Sequence, residues 1–330
     1  MKKQTLKNFV LALGLLGLAL IPSTSLAQVR VASKLPAKRP ASAAAQAASH
    51  QTDTPGSPSY TYTLLSFPGS LYTFAEGINL GATTSKIEIA GGAGQGGFVA
   101  KVSGKKTVTE AYQAVNDPHV SGPQCVFGVN DLGQIVGAYD DYNQGYERSG
   151  GKFTSIAVPF AGAAGTFPYA INNSGEIVGG WWDSNHGEHG FTLIGSTYTA
   201  FDYPGGTDTA GFGINSAGDI VGAYYDASGV DHGFLLSGGT YTSFDFPGAV
   251  FTVAFGINDA GDIVGLYCTT TECIPNGDGG QGFLLSQGIF TTIAIPGEVT
   301  TYAVGINNKG AVSGFYVDAA GLTVSFLATP

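Results

Sequence analysis

The chain of 330 residues is rich in glycine and aromatic residues and poor in charged ones. It contains 51 Gly but only 14 Lys plus Arg, and 43% of its residues are hydrophobic. Few Glu, Lys and Arg leave little material for surface helices, whereas aromatic and β-branched residues favour strands. The composition excludes an all-helical protein, and the apolar content excludes a globally disordered one.

The basic residues are concentrated near the N-terminus, and the rest of the chain is acidic. Residues 58–330 hold seven Lys or Arg and 23 Asp or Glu. Binding of nucleic acid begins with a basic surface that neutralises phosphates, so we expect no nucleic-acid partner. The same argument counts against binding to an anionic membrane surface.

The first 27 residues have the pattern of a secretory signal peptide. Lys2 and Lys3 precede a run of 13 mostly apolar residues (9–21), and Ser25-Leu26-Ala27 gives a small-x-small cleavage pattern. The run is shorter than the about 20 residues that a membrane-spanning helix needs. We therefore expect cleavage near Ala27, no membrane span in the mature chain, and a secreted, extracellular or periplasmic protein. Residues 28–57, rich in Ala, Pro and Ser, are typical of a disordered linker.

A repeat organises the remainder of the chain, 58–330. The segment GINSAGDIVG (213–222) returns as GINDAGDIVG (256–265), with looser copies elsewhere. The shared residue is an asparagine: Asn79, Asn130, Asn172, Asn215, Asn258 and Asn307. A second marker, an apolar residue followed by Pro and usually Gly, recurs out of phase with the first. Six units of about 43 residues are therefore expected, a length typical of propeller blades.

The unit 209–248 shows how each repeat is connected. Turn residues separate four strand-like segments, at 209–215, 219–226, 230–237 and 240–248. Four antiparallel strands in such a length form one propeller blade. The chain ends on a third-type strand (322–330) and begins with an isolated fourth-type strand (59–69). Pairing of these two predicts an all-β, six-bladed β-propeller whose last blade is closed by the N-terminal strand. An open solenoid of stacked hairpins is the alternative.

The repeat residues resemble a known group. Gly-Ile-Asn-Asp-x-Gly-x-Ile-Val-Gly, followed about 20 residues later by His-Gly-Phe, is similar to the bacterial extracellular repeats named after a His-Ala-Phe signature. Gly replaces Ala at Gly190 and Gly233, and Gln replaces His at Gln144 and Gln281. The resemblance covers about 60–330 and is weakest in 70–118. It implies a secreted repeat protein and supplies no catalytic residues.

Two motifs suggest metal ligands but have simpler explanations. Asn258, Asp259 and Asp262 resemble a calcium loop, yet Lys309 occupies the middle of another copy, so a hairpin turn is favoured. The segment NHGEHG (185–190) suggests zinc ligands, yet His189 shares its repeat position with Gln144 and Gln281. A structural hydrogen bond explains both residue types, so no metal and no cofactor are expected.

The cysteines predict one disulfide. Cys268 and Cys273 flank four residues in the longest connection (267–281), and in an exported protein we expect them to be bonded. Cys125 is expected to be a buried thiol outside that bond.

One face of the predicted propeller carries aromatic and acidic side chains. The second-to-third and fourth-to-first connections emerge on this side, and the candidate ligand-binding residues are Tyr139, Asp140, Trp181, Trp182, Asp183, Tyr225 and Asp226. They suit a glycan or a cationic protein surface. The other interpretation is that one aromatic residue of each pair packs between blades while the Asp caps a turn.

The uniform repeat favours a non-catalytic binding or scaffold module, monomeric and not an enzyme. The alternative is an extracellular propeller hydrolase or lyase acting on a polysaccharide or lactone. Calcium at the central axis together with carboxylates outside the repeat would favour the enzyme. An axis lined by the Gly, Ile and Asn of the repeat would favour the module.

Overall fold

The chain folds as a six-bladed β-propeller, as predicted, and the alternative of an open solenoid is wrong. The computed structural model describes residues 48–49, 60–70, 72–81, 86–93, 96–103, 106–120, 124–139, 144–270, 273, 279–298, 300–318 and 321–330. The predicted signal peptide, and the predicted linker apart from Ala48–Ser49, lie outside these residues. Among the described residues, no helix has the length and apolar character needed to cross a membrane.

Each blade is a four-stranded antiparallel sheet, and the six sheets form a ring. The first three blades comprise β3 (Thr73–Ile78), β4 (Ile87–Ala93), β5 (Gly96–Ser103) and β6 (Lys106–Val115); β7 (Gln124–Val129), β8 (Ile135–Tyr139), β9 (Gly145–Ser149) and β10 (Lys152–Ile156); and β11 (Ala163–Ile171), β12 (Ile177–Asp183), β13 (Glu188–Ile194) and β14 (Thr197–Phe201).

The next two blades comprise β15 (Thr209–Ile214), β16 (Ile220–Tyr225), β17 (Asp231–Ser237) and β18 (Thr240–Phe244); and β19 (Phe251–Ile257), β20 (Ile263–Cys268), β21 (Gln281–Ser286) and β22 (Ile289–Ile293). Blade six comprises β23 (Thr300–Ile306), β24 (Val312–Val317), β25 (Thr323–Thr329) and β2 (Thr61–Leu65), with the two-residue β1 (Ala48–Ser49) beyond it.

The N-terminal strand closes the ring, as predicted. Strand β2 pairs antiparallel with β25, from Thr61 opposite Thr329 to Leu65 opposite Ser325. This pairing satisfies the backbone groups that would otherwise leave β25 as an open edge. Blade six therefore combines the two ends of the folded region.

Two faces of the ring are distinguished by their connections. The turn face carries the first-to-second and third-to-fourth turns, such as 215–219 and 238–239. The loop face carries the second-to-third and fourth-to-first connections, such as 226–230 and 245–250. On the loop face, the hydroxyl of Thr209 accepts a hydrogen bond from the Tyr203 amide at 3.0 Å, and Thr252 accepts one from Phe246 at 3.1 Å. These bonds place the second repeat marker at the junction between successive blades.

The repeat asparagine fastens each blade to the next on the turn face. In blade four, Asn215 Oδ1 accepts hydrogen bonds from the amides of Ala217 and Asp219 at 3.0 and 2.9 Å. Its Nδ2 donates to Asp219 Oδ2 at 3.0 Å and to the carbonyl of Asn258 in blade five at 3.3 Å. The same inter-blade bond joins blade two to three, three to four, and five to six. The Asn-x-x-x-Asp pattern is therefore a turn cap combined with a clasp between blades.

Glycine next to the clasp lets the inner strands approach each other. A Cβ on Gly213 would lie 2.7 Å from the carbonyl oxygen of Phe255, and one on Gly256 would lie 2.7 Å from that of Val304. Such distances are too short for a side chain. The Gly of the Gly-Ile-Asn motif is thus required by the narrow centre of the ring.

Replacing the clasp asparagine by aspartate should test the inter-blade bond, with a matched control in the same fold. Asn215→Asp keeps the two accepted bonds but loses both donated ones and places a carboxylate beside Asp219. We expect a loss of about 2–4 kcal/mol in the free energy of unfolding, measured by denaturant titration.

Asn307→Asp is the control, because Asn307 Nδ2 has no hydrogen-bond partner among the described residues and Ala311 replaces the acid. Both substitutions bury a carboxylate, so the smaller loss expected for Asn307→Asp reports the two donated bonds of Asn215 together with the repulsion from Asp219. Equal losses would show that the inter-blade bond contributes nothing.

Candidate functional site

The predicted ligand-binding residues lie on the loop face, but most of their rings are buried. Tyr139, Trp181 and Tyr225 are each less than a tenth exposed, and Trp182 is half-buried. Asp140 lies outside the described residues. The face therefore presents fewer aromatic surfaces to solvent than the sequence suggests.

The first aromatic residue of each pair packs between blades. Trp181 contacts Phe160 with ring centroids 5.1 Å apart, and Tyr224 stacks on Tyr203 at 3.6 Å with the rings within 5° of parallel. In each contact the partner comes from the connection that leaves the preceding blade. These rings thus hold neighbouring blades together.

The aspartates of the pairs cap turns. Asp183 Oδ1 accepts hydrogen bonds from the amides of Asn185 and Gly187, at 2.9 and 2.7 Å. Asp226 Oδ1 accepts from Ser228 and Val230, at 2.8 and 2.9 Å. The bond from the Val230 amide is the main reason that the pKa of Asp226 falls to about 2. Both carboxylates are committed to the local turn.

The two repeat histidines bridge neighbouring acids. His189 Nδ1 lies 2.9 Å from Asp202 Oδ1, and His232 Nδ1 lies 2.9 Å from Asp245 Oδ2. His189 also stacks on Trp181, with centroids 4.5 Å apart. The hydrogen bond between each histidine and its aspartate explains why a histidine stands at this position of the repeat. Across the described part of the chain, no three His, Cys, Asp or Glu side chains converge in a way that could hold a metal ion.

Three acidic residues of blades three and four form a group that the sequence analysis did not identify. Glu188 starts β13, Asp231 starts β17, and Asp208 precedes β15. Glu188 and Asp231 are 2% and 3% exposed, whereas Asp208 is half-buried. The Glu188 amide donates to Asp208 Oδ1 at 2.9 Å, and Asp208 also acts electrostatically on Asp231. We call these three residues the acidic cluster.

The acidic cluster contains residues that the other copies of the repeat lack. The positions equivalent to Glu188 and Asp231 are Gly280 in blade five and Thr323 in blade six. Across the strands, Glu188 is paired with Trp182 and Asp231 with Tyr225. An acid beside a large aromatic residue in only two of the blades was the sequence signal available, whereas the NHGEHG motif pointed to Glu188 only as a metal ligand.

Burial alters the ionisation of Asp231. Desolvation raises its pKa well above the ordinary range, the nearby Asp208 and Asp226 raise it further, and the Tyr225 hydroxyl acts in the opposite direction. Its Oδ1 is buried and accepts no hydrogen bond from the described residues. Buried oxygens without partners are uncommon and often mark functional positions. Asp231 is therefore set to hold a proton that an exposed aspartate would release.

A second unusual feature lies on the central axis. All six innermost strands carry a β-bulge, and in each the bulged residue lines the axial cavity. A bulge redirects a side chain, here toward the axis. The six residues are Glu76, Phe127, Tyr169, Phe212, Phe255 and Val304. The Gly and Ile of the repeat form the remaining wall, so that the axis combines repeat residues with one carboxylate outside the repeat.

The cysteines lie near the loop-face end of the core. Cys268 and Cys273 form a disulfide. Cys125 is half-buried rather than buried, because it lies at the margin of the central core at the start of β7. The disulfide fixes the start of the long connection that follows β20.

Comparison with known proteins shows the fold. No protein-family model matches the chain, and no curated protein matches it. Among solved structures, a gluconolactonase from Xanthomonas campestris is similar with a TM-score of 0.50 and 13% identity, covering 88% of this chain and 99% of that one.

Two further similar structures have different functions from each other. Virginiamycin B lyase from Staphylococcus aureus has a TM-score of 0.46 and 10% identity, covering 82% of this chain and 100% of that one. The Aleuria aurantia lectin, in complex with α-methyl-L-fucoside, has a TM-score of 0.47 and 12% identity, covering 78% and 92%.

The expectation of a non-catalytic binding or scaffold module is wrong as the main interpretation. It rested on the view that a uniform repeat argues against catalysis, yet a gluconolactonase has this fold. The repeat is also less uniform than it seemed, since Glu76 and the acidic cluster depart from it. The alternative interpretation, a hydrolase or lyase, agrees better with both observations.

The raised pKa of Asp231 predicts a pH-dependent stability. The folded protein binds this proton more tightly than the unfolded chain, so the free energy of unfolding falls as pH rises above the unfolded pKa of about 4. The fall continues to the folded pKa, at up to about 1.4 kcal/mol per pH unit. Asp231→Asn should remove this component, so that its stability relative to wild type increases with pH in chemical denaturation.

Thr323→Val, at the equivalent buried position of blade six, changes no titratable group and is the control, so its stability difference from wild type should be the same at every pH. A constant difference between wild type and Asp231→Asn at every pH would show that Asp231 titrates normally.

Proposed function

We propose that the protein is a hydrolase or lyase that acts outside the cell on a lactone or a polysaccharide, with Asp208 and Asp231 of the acidic cluster as its catalytic residues. The observation that carries the proposal is the burial of Asp231, whose Oδ1 accepts no hydrogen bond from the described residues, beside the half-buried Asp208. A buried carboxylic acid can act as a general acid at neutral pH, and a neighbouring carboxylate can act as the base. The predicted export signal supports action outside the cell.

The pair can perform either ring opening or elimination. In lactone hydrolysis, Asp208 takes a proton from water while the water oxygen bonds to the carbonyl carbon. The bond from that carbon to the ring oxygen breaks, and the ring oxygen receives the proton of Asp231. In elimination, Asp208 instead takes a proton from carbon, a double bond forms, and the leaving oxygen receives the Asp231 proton. Both schemes use one base and one acid.

Trp182 supplies a surface for the substrate. Its half-buried ring packs on Phe167 with centroids 4.8 Å apart, and its strand position faces that of Glu188. Its indole Nε1 is buried and has no hydrogen-bond partner among the described residues. The half-buried ring itself offers an apolar surface that suits a sugar ring or a cyclic ester.

Activity should depend on Asp231 and not on acids of the other face. We propose to assay the exported protein, whose N-terminus should be Gln28, on glucono-δ-lactone by acid release and on polygalacturonate by ultraviolet absorbance of unsaturated product. Asp231→Asn should lower kcat at least about 100-fold, the scale of a lost general acid. In the wild type, kcat should fall as pH rises through the pKa of Asp231.

The matched control is Asp219→Asn, which lies on the turn face and keeps a hydrogen-bond acceptor for Asn215. It should retain wild-type kcat. Equal activity of the Asp231→Asn variant would contradict the assignment of Asp231. Absence of activity on lactone and polysaccharide panels would contradict the proposed function.

A further inference from the structure

The axial cavity combines aromatic rings, the isoleucines and glycines of the repeat, and one carboxylate. Four of its six bulged residues are aromatic and stand in consecutive blades. Their ring centroids are 5.3 Å apart for Phe127 and Tyr169, 5.1 Å for Tyr169 and Phe212, and 5.6 Å for Phe212 and Phe255. We call these four residues the aromatic arc.

The other two bulged residues around the axis are a small residue and an acid. Val304 of blade six and Glu76 of blade one are neighbours across the seam of the ring, where β23 packs against β3. A valine where other blades have a large ring leaves space beside the Glu76 carboxyl. The cavity has a volume of about 60 Å³.

The remaining wall is apolar and extends toward the turn face. It consists of Leu80 and the repeat positions Ile78, Val129, Ile171, Ile214, Ile257 and Ile306, with their neighbouring glycines and Ala170. Of the side chains that line the cavity, only those of Glu76 and Tyr169 can titrate, and none is Lys or Arg. Glu76 therefore faces an apolar space that contains no cation from the described part of the chain.

From this arrangement we infer that the axial cavity binds a small primary alkylammonium ion, with its charged group against Glu76 and the aromatic arc and its methylenes among the isoleucines. An ammonium group is attracted both by a carboxylate and by aromatic faces. A divalent metal ion fits poorly, because Glu76 supplies the only carboxylate in the lining and such ions take several oxygen ligands. A neutral apolar molecule would leave the carboxyl unmatched.

The ionisation of Glu76 links this binding to pH. Desolvation raises its pKa well above the ordinary value, and no charge is among the causes. The strands that pack against β3 carry Glu88, paired with Lys101 at 3.0 Å, the Cys125 thiol of β7, and the phenols of Tyr302 on β23 and Tyr316 on β24. A cation that enters must therefore displace the proton of Glu76, so its affinity should rise up to about tenfold per pH unit below that pKa.

Titration calorimetry with n-butylammonium chloride tests the inference on the whole folded protein. We expect one site, release of about one proton when the same titration is run in buffers of different ionisation enthalpy, and tighter binding at higher pH. 1-Butanol, the neutral analogue, should bind at least tenfold more weakly. Nα-Acetyl-lysine amide presents the same ammonium group on a peptide unit, and tighter binding of it would identify a lysine side chain as the source.

Two variants separate the roles of the carboxyl and the arc. Glu76→Gln should abolish proton release and weaken binding at least tenfold, while Phe212→Leu should weaken binding several-fold and keep the proton release. Thermal melts check that both are folded. Unchanged affinity in Glu76→Gln, binding without proton release, or equal binding of 1-butanol would each overturn the inference. Lactonase or lyase activity in Glu76→Gln is a separate readout, so this result and the fate of the proposed function remain distinguishable.

Discussion

The hydrogen bonds of the repeat asparagine are the interaction on which the ring depends. Each side chain closes its own turn and, in four of the junctions, reaches the backbone of the next blade. The amide group is required because its oxygen accepts from two backbone N–H groups while its nitrogen donates across the junction. A carboxylate could serve only the first purpose. The narrow packing of the inner strands, with glycine beside each clasp, follows from this connection.

The seam between blades six and one is built differently. Asn307 Nδ2 has no hydrogen-bond partner in the described residues, and the amide of Asn308 instead donates to the carbonyl of Leu80 at 2.9 Å. Closure at this point relies on the pairing of β2 with β25. The axial positions on either side of the seam, Val304 and Glu76, are also those that depart from the aromatic arc. At the axis, departure from the repeat thus coincides with the place where the two ends of the folded region meet.

Most of the fold could be predicted from the sequence because the same pattern of strands and turns recurs in six units. Strands β15 to β18 begin and end close to the boundaries expected from turn residues in 209–248, since Gly and Asn positions limit where a hairpin can reverse. Closure was predictable because the two ends supplied complementary strands. The bulges were not, because a one-residue insertion on the inner strand leaves no mark in the hydrophobic pattern.

The candidate site was harder to predict for a physical reason. The sequence predicted a binding site from aromatic and acidic residues on the loop face. In the structure, Trp181 packs between blades and Asp226 caps a turn. Asp231 and Glu76 are single acidic residues at repeat positions where most other blades have residues that carry no charge. Their chemical behaviour depends on burial, and the neighbouring blades supply that burial. Sequence position alone gives the residue type, and the surroundings that alter its pKa appear only after the ring is assembled.

Amide hydrogen exchange, followed by mass spectrometry, tests the central role of the asparagine clasp most directly. The amides of Ala217, Asp219, Ala260 and Asp262 lie in turns but donate to clasp side chains. If the clasp holds the blades together, these turns should exchange as slowly as the inner strands β15 and β19, and far more slowly than the third-to-fourth turn at 238–239. Exchange of turns 215–219 and 258–262 at the rate of turn 238–239 would contradict this role of the clasp.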